Sequence, residues 1–93
     1  MEALSEQAIN EALTDLDGWD HDEDMITCGY EFKHFKEALG FIVQVGLVAE
    51  QKGHHPEIFN VYNKVVISLQ THDAGNKVTQ TDIDMARAIE ELF

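Results

Sequence analysis

Basic residues are scarce. Six lysines and arginines stand against eighteen aspartates and glutamates in 93 residues, a formal charge of -12. Such a surface repels phosphate backbones and anionic membranes, and no Lys/Arg cluster offsets it, which argues against direct nucleic-acid binding. Cysteine is rarer still. With Cys28 alone, an internal disulfide and a thiolate-rich metal site are excluded. Long apolar runs are also missing, and none approaches the roughly eighteen residues of a membrane-spanning helix. The opening stretch MEALSEQAINEAL is acidic and amphipathic, without the basic start and apolar segment of a signal peptide. A reducing, cytoplasmic setting is the expectation.

What remains is an ordinary globular composition, 44% hydrophobic and 26% charged, expected to form a single domain over residues 1–93. Ile9, Ala12, Leu13 and Leu16 repeat at helical spacing behind a Ser5 cap, predicting a helix over residues 4–16 that Asp17-Gly18 ends. Trp19 opens a short strand before an acidic turn, His21-Asp22-Glu23-Asp24. Residues 25–33 alternate, placing Ile26, Cys28, Tyr30 and Phe32 on one face of a half-buried strand. Cys28 is thus read as a small core residue. From His34 to Lys52 the period becomes helical, with Phe35, Ala38, Leu39, Ile42, Val45, Gly46 and Ala49 as the apolar stripe. Val43, Leu47 and Val48 widen it beyond what a surface helix needs, which suits a central helix or a contact with a partner subunit. Gly53 closes that helix. Strands over 57–62 and 65–72 follow, then a turn-rich DAGNK loop. The last helix has capping-box spacing at Thr79 and Asp82 and buries Ile83, Ala86, Ile89 and Phe93. The order α-β-β-α-β-β-α predicts an α+β two-layer sandwich, a four-stranded antiparallel sheet with helices on one face.

Chemistry concentrates between Glu50 and His72. With Asn63-Lys64 as a two-residue turn, paired residues sum to 127, so His55 and His72 meet across the ladder. Histidines beside a carboxylate can supply both a proton donor and an acceptor near neutral pH. Adjacent strand residues point to opposite faces, so His54 joins the same site only through a non-strand conformation before Pro56. Other readings stay open: the histidines as satisfied strand-end groups, Asp82 as a helix cap alone, or a zinc site, although no HxH or HExxH spacing is present.

The run EQKGHHPEIFNVYNKVVISLQTHD followed by TQTDID resembles the pterin-4a-carbinolamine dehydratase family, also known as the dimerisation cofactor of a homeodomain transcription factor. The family pattern has an acidic residue, three spacers, His-His-Pro, an aromatic, a histidine and a downstream aspartate. Glu50, His54, His55, Pro56, Tyr62, His72 and Asp82 occupy those positions. The likeness extends through Gly18-Trp19 and the run from Phe35 to Phe41. Ile58 departs from it, since relatives often carry Trp after HHPE. The resemblance implies loss of water from a 4a-hydroxytetrahydropterin without a cofactor or metal. It implies catalytic roles for His54, His55, His72 and Asp82, substrate contacts from Glu50, Pro56 and Tyr62, and a homodimer or homotetramer. A protein-binding coactivator module, or a dehydratase for another pterin, are the alternatives it leaves.

Overall fold

The computed structural model describes residues 2–93, and its elements follow the predicted order. They are α1 (Glu6–Ala12), β1 (Trp19–Asp22), β2 (Met25–Glu31), α2 (Phe35–Lys52), β3 (Glu57–Val61), β4 (Lys64–Leu69) and α3 (Gln80–Glu90). The strands form one antiparallel sheet in the order β1-β2-β4-β3. The central strands β2 and β4 alternate as their sequences require: Ile26, Cys28, Val65, Ile67 and Leu69 are buried. Ile9, Val45, Ile83 and Ile89 bring the three helices onto that same cluster.

The start of α1 matches its local signals, since the Ser5 hydroxyl accepts from the Ala8 N–H at 3.1 Å. The helix is shorter than its periodicity suggests: after Ala12 the chain tightens into a 3-10 turn, Leu13–Asp15. The acidic turn is shorter as well. His21 and Asp22 pair with Ile26 and Met25 inside the sheet, and Glu23 makes the reversal at φ 55°.

In α2 the buried line is Ala38, Phe41, Val45 and Ala49. Phe35 and Leu39, part of the apolar stripe read from spacing, are exposed, and with Val43 and Leu47 they form an outward row at four-residue spacing. Phe41 takes the inner place because it packs between Tyr30 and Phe32, with ring centroids 4.7 and 5.1 Å away. Phe93 also differs from expectation. It lies beyond the end of α3, stacked on Tyr30 at 5.4 Å but largely exposed.

The β3–β4 register is two residues off the predicted one. Val61 pairs with Lys64 and Glu57 with Ser68, so partners sum to 125 and the turn is Tyr62-Asn63. Side-chain amides account for this. The Asn60 amide donates to the carbonyls of Tyr62 and Lys64 at 3.1 and 2.8 Å, bracketing the turn from within. Asn63 donates to the Phe32 carbonyl at 2.7 Å and accepts from the Phe32 N–H through its own carbonyl, tying the tip to the end of β2. Tyr62 accepts the left-handed region, φ 51°, that this arrangement demands.

At the other end of the core, the Glu90 carboxylate joins three elements. It accepts from the Trp19 indole N–H at 3.0 Å and from the Tyr30 hydroxyl at 2.6 Å. Burial, reinforced by that bond to Glu90, pushes the Tyr30 phenol far above its ordinary value. Burial likewise pushes the Cys28 thiol up, in keeping with a core residue rather than a nucleophile.

Candidate active site

The end of α2 aims the histidine pair. Gly53 takes the left-handed conformation at φ 65°, its N–H reaches the Glu50 carbonyl at 3.3 Å, and the His54 N–H reaches the Ala49 carbonyl at 3.1 Å. This pair of bonds closes the helix with a glycine that carries no Cβ penalty. His54, His55 and Pro56 then run without regular structure into β3, so strand alternation does not govern the two rings.

They separate accordingly. His54 turns inward, and its Nε2 lies 2.5 Å from Oδ1 of Asp82, which is fully buried. His55 stays at the surface, its Nε2 2.5 Å from Glu50 Oε1, and both partners are mostly exposed. A solvent-screened pair of this kind contributes little to stability and serves to orient a ring.

His72 does not meet His55 across a ladder, because the shifted register ends β4 at Leu69. It starts a 3-10 turn, His72–Ala74, with Nδ1 2.9 Å from the Asn76 side-chain oxygen. The two histidine segments still converge. Gly53, His54, His55, Gln70, Thr71, His72 and Asp73 line one cleft of about 270 Å³, slightly below the usual ~300–1,000 Å³ of small-molecule sites. A larger hollow of about 610 Å³ lies along Glu6, Gln7, Asn10, Glu11 and Thr14. It is a shallow groove on one helix face without a histidine, and it is not the site.

Asp82 stands behind the cleft, at the third position of α3. The capping box is complete, with Asp82 Oδ2 accepting from the Thr79 N–H at 2.9 Å. The same oxygen accepts from the Thr71 hydroxyl at 2.8 Å, while Oδ1 faces His54. Helix capping and contact with a histidine are thus combined in one carboxylate. Since a carboxylate only accepts, His54 Nε2 carries a proton and Nδ1 is left over. The same logic at Glu50 leaves Nδ1 of His55, and the Asn76 oxygen leaves Nε2 of His72.

A profile of the pterin 4 alpha carbinolamine dehydratase family matches residues 2–92. The chain belongs to that family. A relative from Opitutus terrae, with pterin-4-alpha-carbinolamine dehydratase as its provisional name, is 42% identical over 89 residues, covering 96% of this chain and 92% of its own. A Brucella ovis protein of the same provisional name is 46% identical over 91 residues, covering 96% and 93%. A crystal structure from Brucella melitensis, described as a transcriptional coactivator/pterin dehydratase, superposes with a TM-score of 0.91 at 45% identity over 98% of each chain. A pterin dehydratase-like RuBisCO assembly factor of the alpha-carboxysome shares the fold alone, with a TM-score of 0.65 at 17% identity.

Of the family-pattern positions, His54, His55 and His72 share the cleft, with Asp82 and Glu50 each holding one histidine. Pro56 sits at the entry to β3. Tyr62 is not brought to the cleft within this chain: it lies, exposed, in the turn at the far end of the hairpin. Gln70 and Thr71 line the cleft although no motif marked them. Thr71 carries no local signal, since its partners lie eight and eleven residues downstream. Among the described residues no three His, Cys, Asp or Glu side chains are placed to hold a metal ion together, and no helix is long and apolar enough to cross a membrane.

Proposed function

We propose that this cleft dehydrates 4a-hydroxytetrahydrobiopterin, the 4a-carbinolamine, to quinonoid dihydropterin plus water, recycling the pterin cofactor of aromatic amino acid hydroxylases. The observation that carries the reading is the set of three histidines around one ring-sized cleft, each with one nitrogen engaged by the protein and one left over. The hydroxyl on carbon 4a leaves as water only when protonated, and a ring nitrogen must lose its proton as the double bond forms. His55 and His72, on separate segments, act as the acid-base pair. His54, fixed by Asp82, polarises the pterin and assists the transfer. Glu50 orients His55, and Pro56 sets where the chain leaves the cleft. The reaction is redox-neutral and its proton transfers are assigned to histidines, so the scheme calls on no redox cofactor.

The test is a direct assay of carbinolamine breakdown by wild type and His72→Ala. His72 is exposed and bonds only a neighbouring loop residue, so the variant should remain folded while turnover falls by ~10²–10⁴-fold, the usual contribution of a positioned acid or base. Wild-type turnover in a folded His72→Ala protein refutes the assignment.

A second reading concerns partners. We propose self-association as a homodimer or homotetramer through the outward row Phe35, Leu39, Val43 and Leu47 on α2, four apolar side chains left uncovered by the chain itself. The exposed edge β3, with Phe59 and Val61 uncovered, supports it further. A coactivator-like role would use the same apolar surfaces and not the histidines.

A further inference from the structure

Asp82 is held by more than its helix. Thr71 is 4% exposed and Thr79 and Asp82 are fully buried, so no bulk water can replace a missing bond among them. Thr71 Oγ1 has one hydrogen and two polar neighbours, Asp82 Oδ2 at 2.8 Å and Thr79 Oγ1 at 2.7 Å. The carboxylate can only accept, so the Thr71 hydrogen goes to Asp82 and the Thr79 hydroxyl donates to Thr71. Thr79 Oγ1 in turn accepts from the Thr81 N–H at 3.2 Å, in the first turn of α3. The bonds therefore run one way, from the helix start through two hydroxyls to the carboxylate. Aligned hydrogen bonds of this kind polarise one another in a low-dielectric interior.

Thr71 is itself immobilised. Its N–H bonds the Lys77 carbonyl at 2.8 Å, and its carbonyl accepts from the N–H groups of Ala74 and Asn76 at 3.2 and 3.1 Å. It also directly precedes His72. One residue thus links the two sides of the cleft, His72 through the chain and His54 through Asp82.

We propose that Thr71 is a positioning residue for the His54–Asp82 pair. Its hydroxyl fixes the carboxylate so that His54 is kept as the Nε2–H form, with Nδ1 presented for proton transfer. The proposal rests on the dehydratase reading for its consequence in turnover, but not for its consequence in the free protein.

The experiment compares wild type, Thr71→Val, which keeps shape and loses the hydroxyl, and Thr71→Ser, which keeps the hydroxyl and loses the methyl. Two readouts are taken: the His54 ring-proton and ring-nitrogen resonances of the free protein by NMR, and kcat and KM for carbinolamine breakdown. In wild type and Thr71→Ser, His54 should show the Nε2–H form with a slowly exchanging ring proton. Thr71→Val should lose that signature and drop kcat by ~10–100-fold, as removal of one bond to a buried charge implies, with KM changed less than about two-fold. A Thr71→Val protein that keeps both the resonance and kcat overturns the proposal. So does a Thr71→Ser protein that loses as much as the valine variant, because packing would then be the cause. Thr71→Ala takes the place of the valine variant if that variant does not fold, with the same expected outcomes. If wild type shows no dehydratase turnover, the functional reading fails, and the ring-proton comparison alone decides the role of Thr71.

Discussion

Replacing Asp82 by asparagine separates its two duties. The asparagine oxygen can face the Thr71 hydroxyl and the Thr79 N–H as Oδ2 does now. The amide nitrogen then falls where Oδ1 is, 2.5 Å from His54 Nε2 in the native protein. An amide nitrogen donates, so His54 Nε2 must become the acceptor and the ring proton must move to Nδ1. Helix capping survives with neutral bonds in place of charge-assisted ones, which are about twice as strong, so the cost to folding should be about 1–2 kcal/mol. Asp82→Ala instead strips partners from a buried N–H and a buried hydroxyl and should cost about 3–5 kcal/mol. Turnover should follow a different order. In Asp82→Asn the cleft then meets Nδ1 already protonated, and kcat should fall ~10²–10⁴-fold while most stability remains. Urea unfolding and initial-rate measurements on the same preparations check both quantities. An asparagine variant with near-native turnover refutes the claim that Asp82 sets the His54 tautomer.

Two further outcomes are expected. The folded protein holds the Tyr30 proton more tightly than the unfolded chain, whose ordinary value is 10.0. The stability this contributes is present below that pH and is lost above it, by up to about 1.4 kcal/mol per pH unit. Urea midpoints from pH 8 to 11 should fall more steeply for wild type than for Tyr30→Phe, and parallel curves would contradict a phenol buried and held protonated against Glu90. On α2, the double variant Val43→Glu with Leu47→Glu places charge in the uncovered row. Light scattering should report a two- or four-chain mass for wild type and one chain for the variant, at unchanged helix content; equal masses remove that row as the contact.

The elements were legible because their signals are local. Ser5, Gly53 and the Thr79–Asp82 box mark helix ends within three or four residues of the groups they bond. Alternation in β2 and β4 survives because both strands are central, with the buried face forced inward. The hairpin register was not legible, since it depends on where the Asn60 and Asn63 amides reach and on the anchoring of the tip to Phe32. Phe35 and Phe41 could not be sorted by spacing alone, because the choice is made by the aromatic surface of Tyr30 and Phe32. The histidine cluster could be named from its motif, and the wrong register still pointed to the two segments that line one cleft. The depth of the site was hidden. His54 meets Asp82 across 28 residues of chain, and Thr71 joins them through a hydroxyl that could equally have faced solvent.

The β3–β4 hairpin gives the molecule two distant ends. Its open end carries His54, His55 and His72, and its closed end carries the exposed Tyr62. Five residues of β3 lie between them, about 17 Å at the rise of an antiparallel strand. Covering the tip alone would therefore leave the mouth of the cleft open. The cleft and the exposed tip stand at opposite ends of a single ribbon.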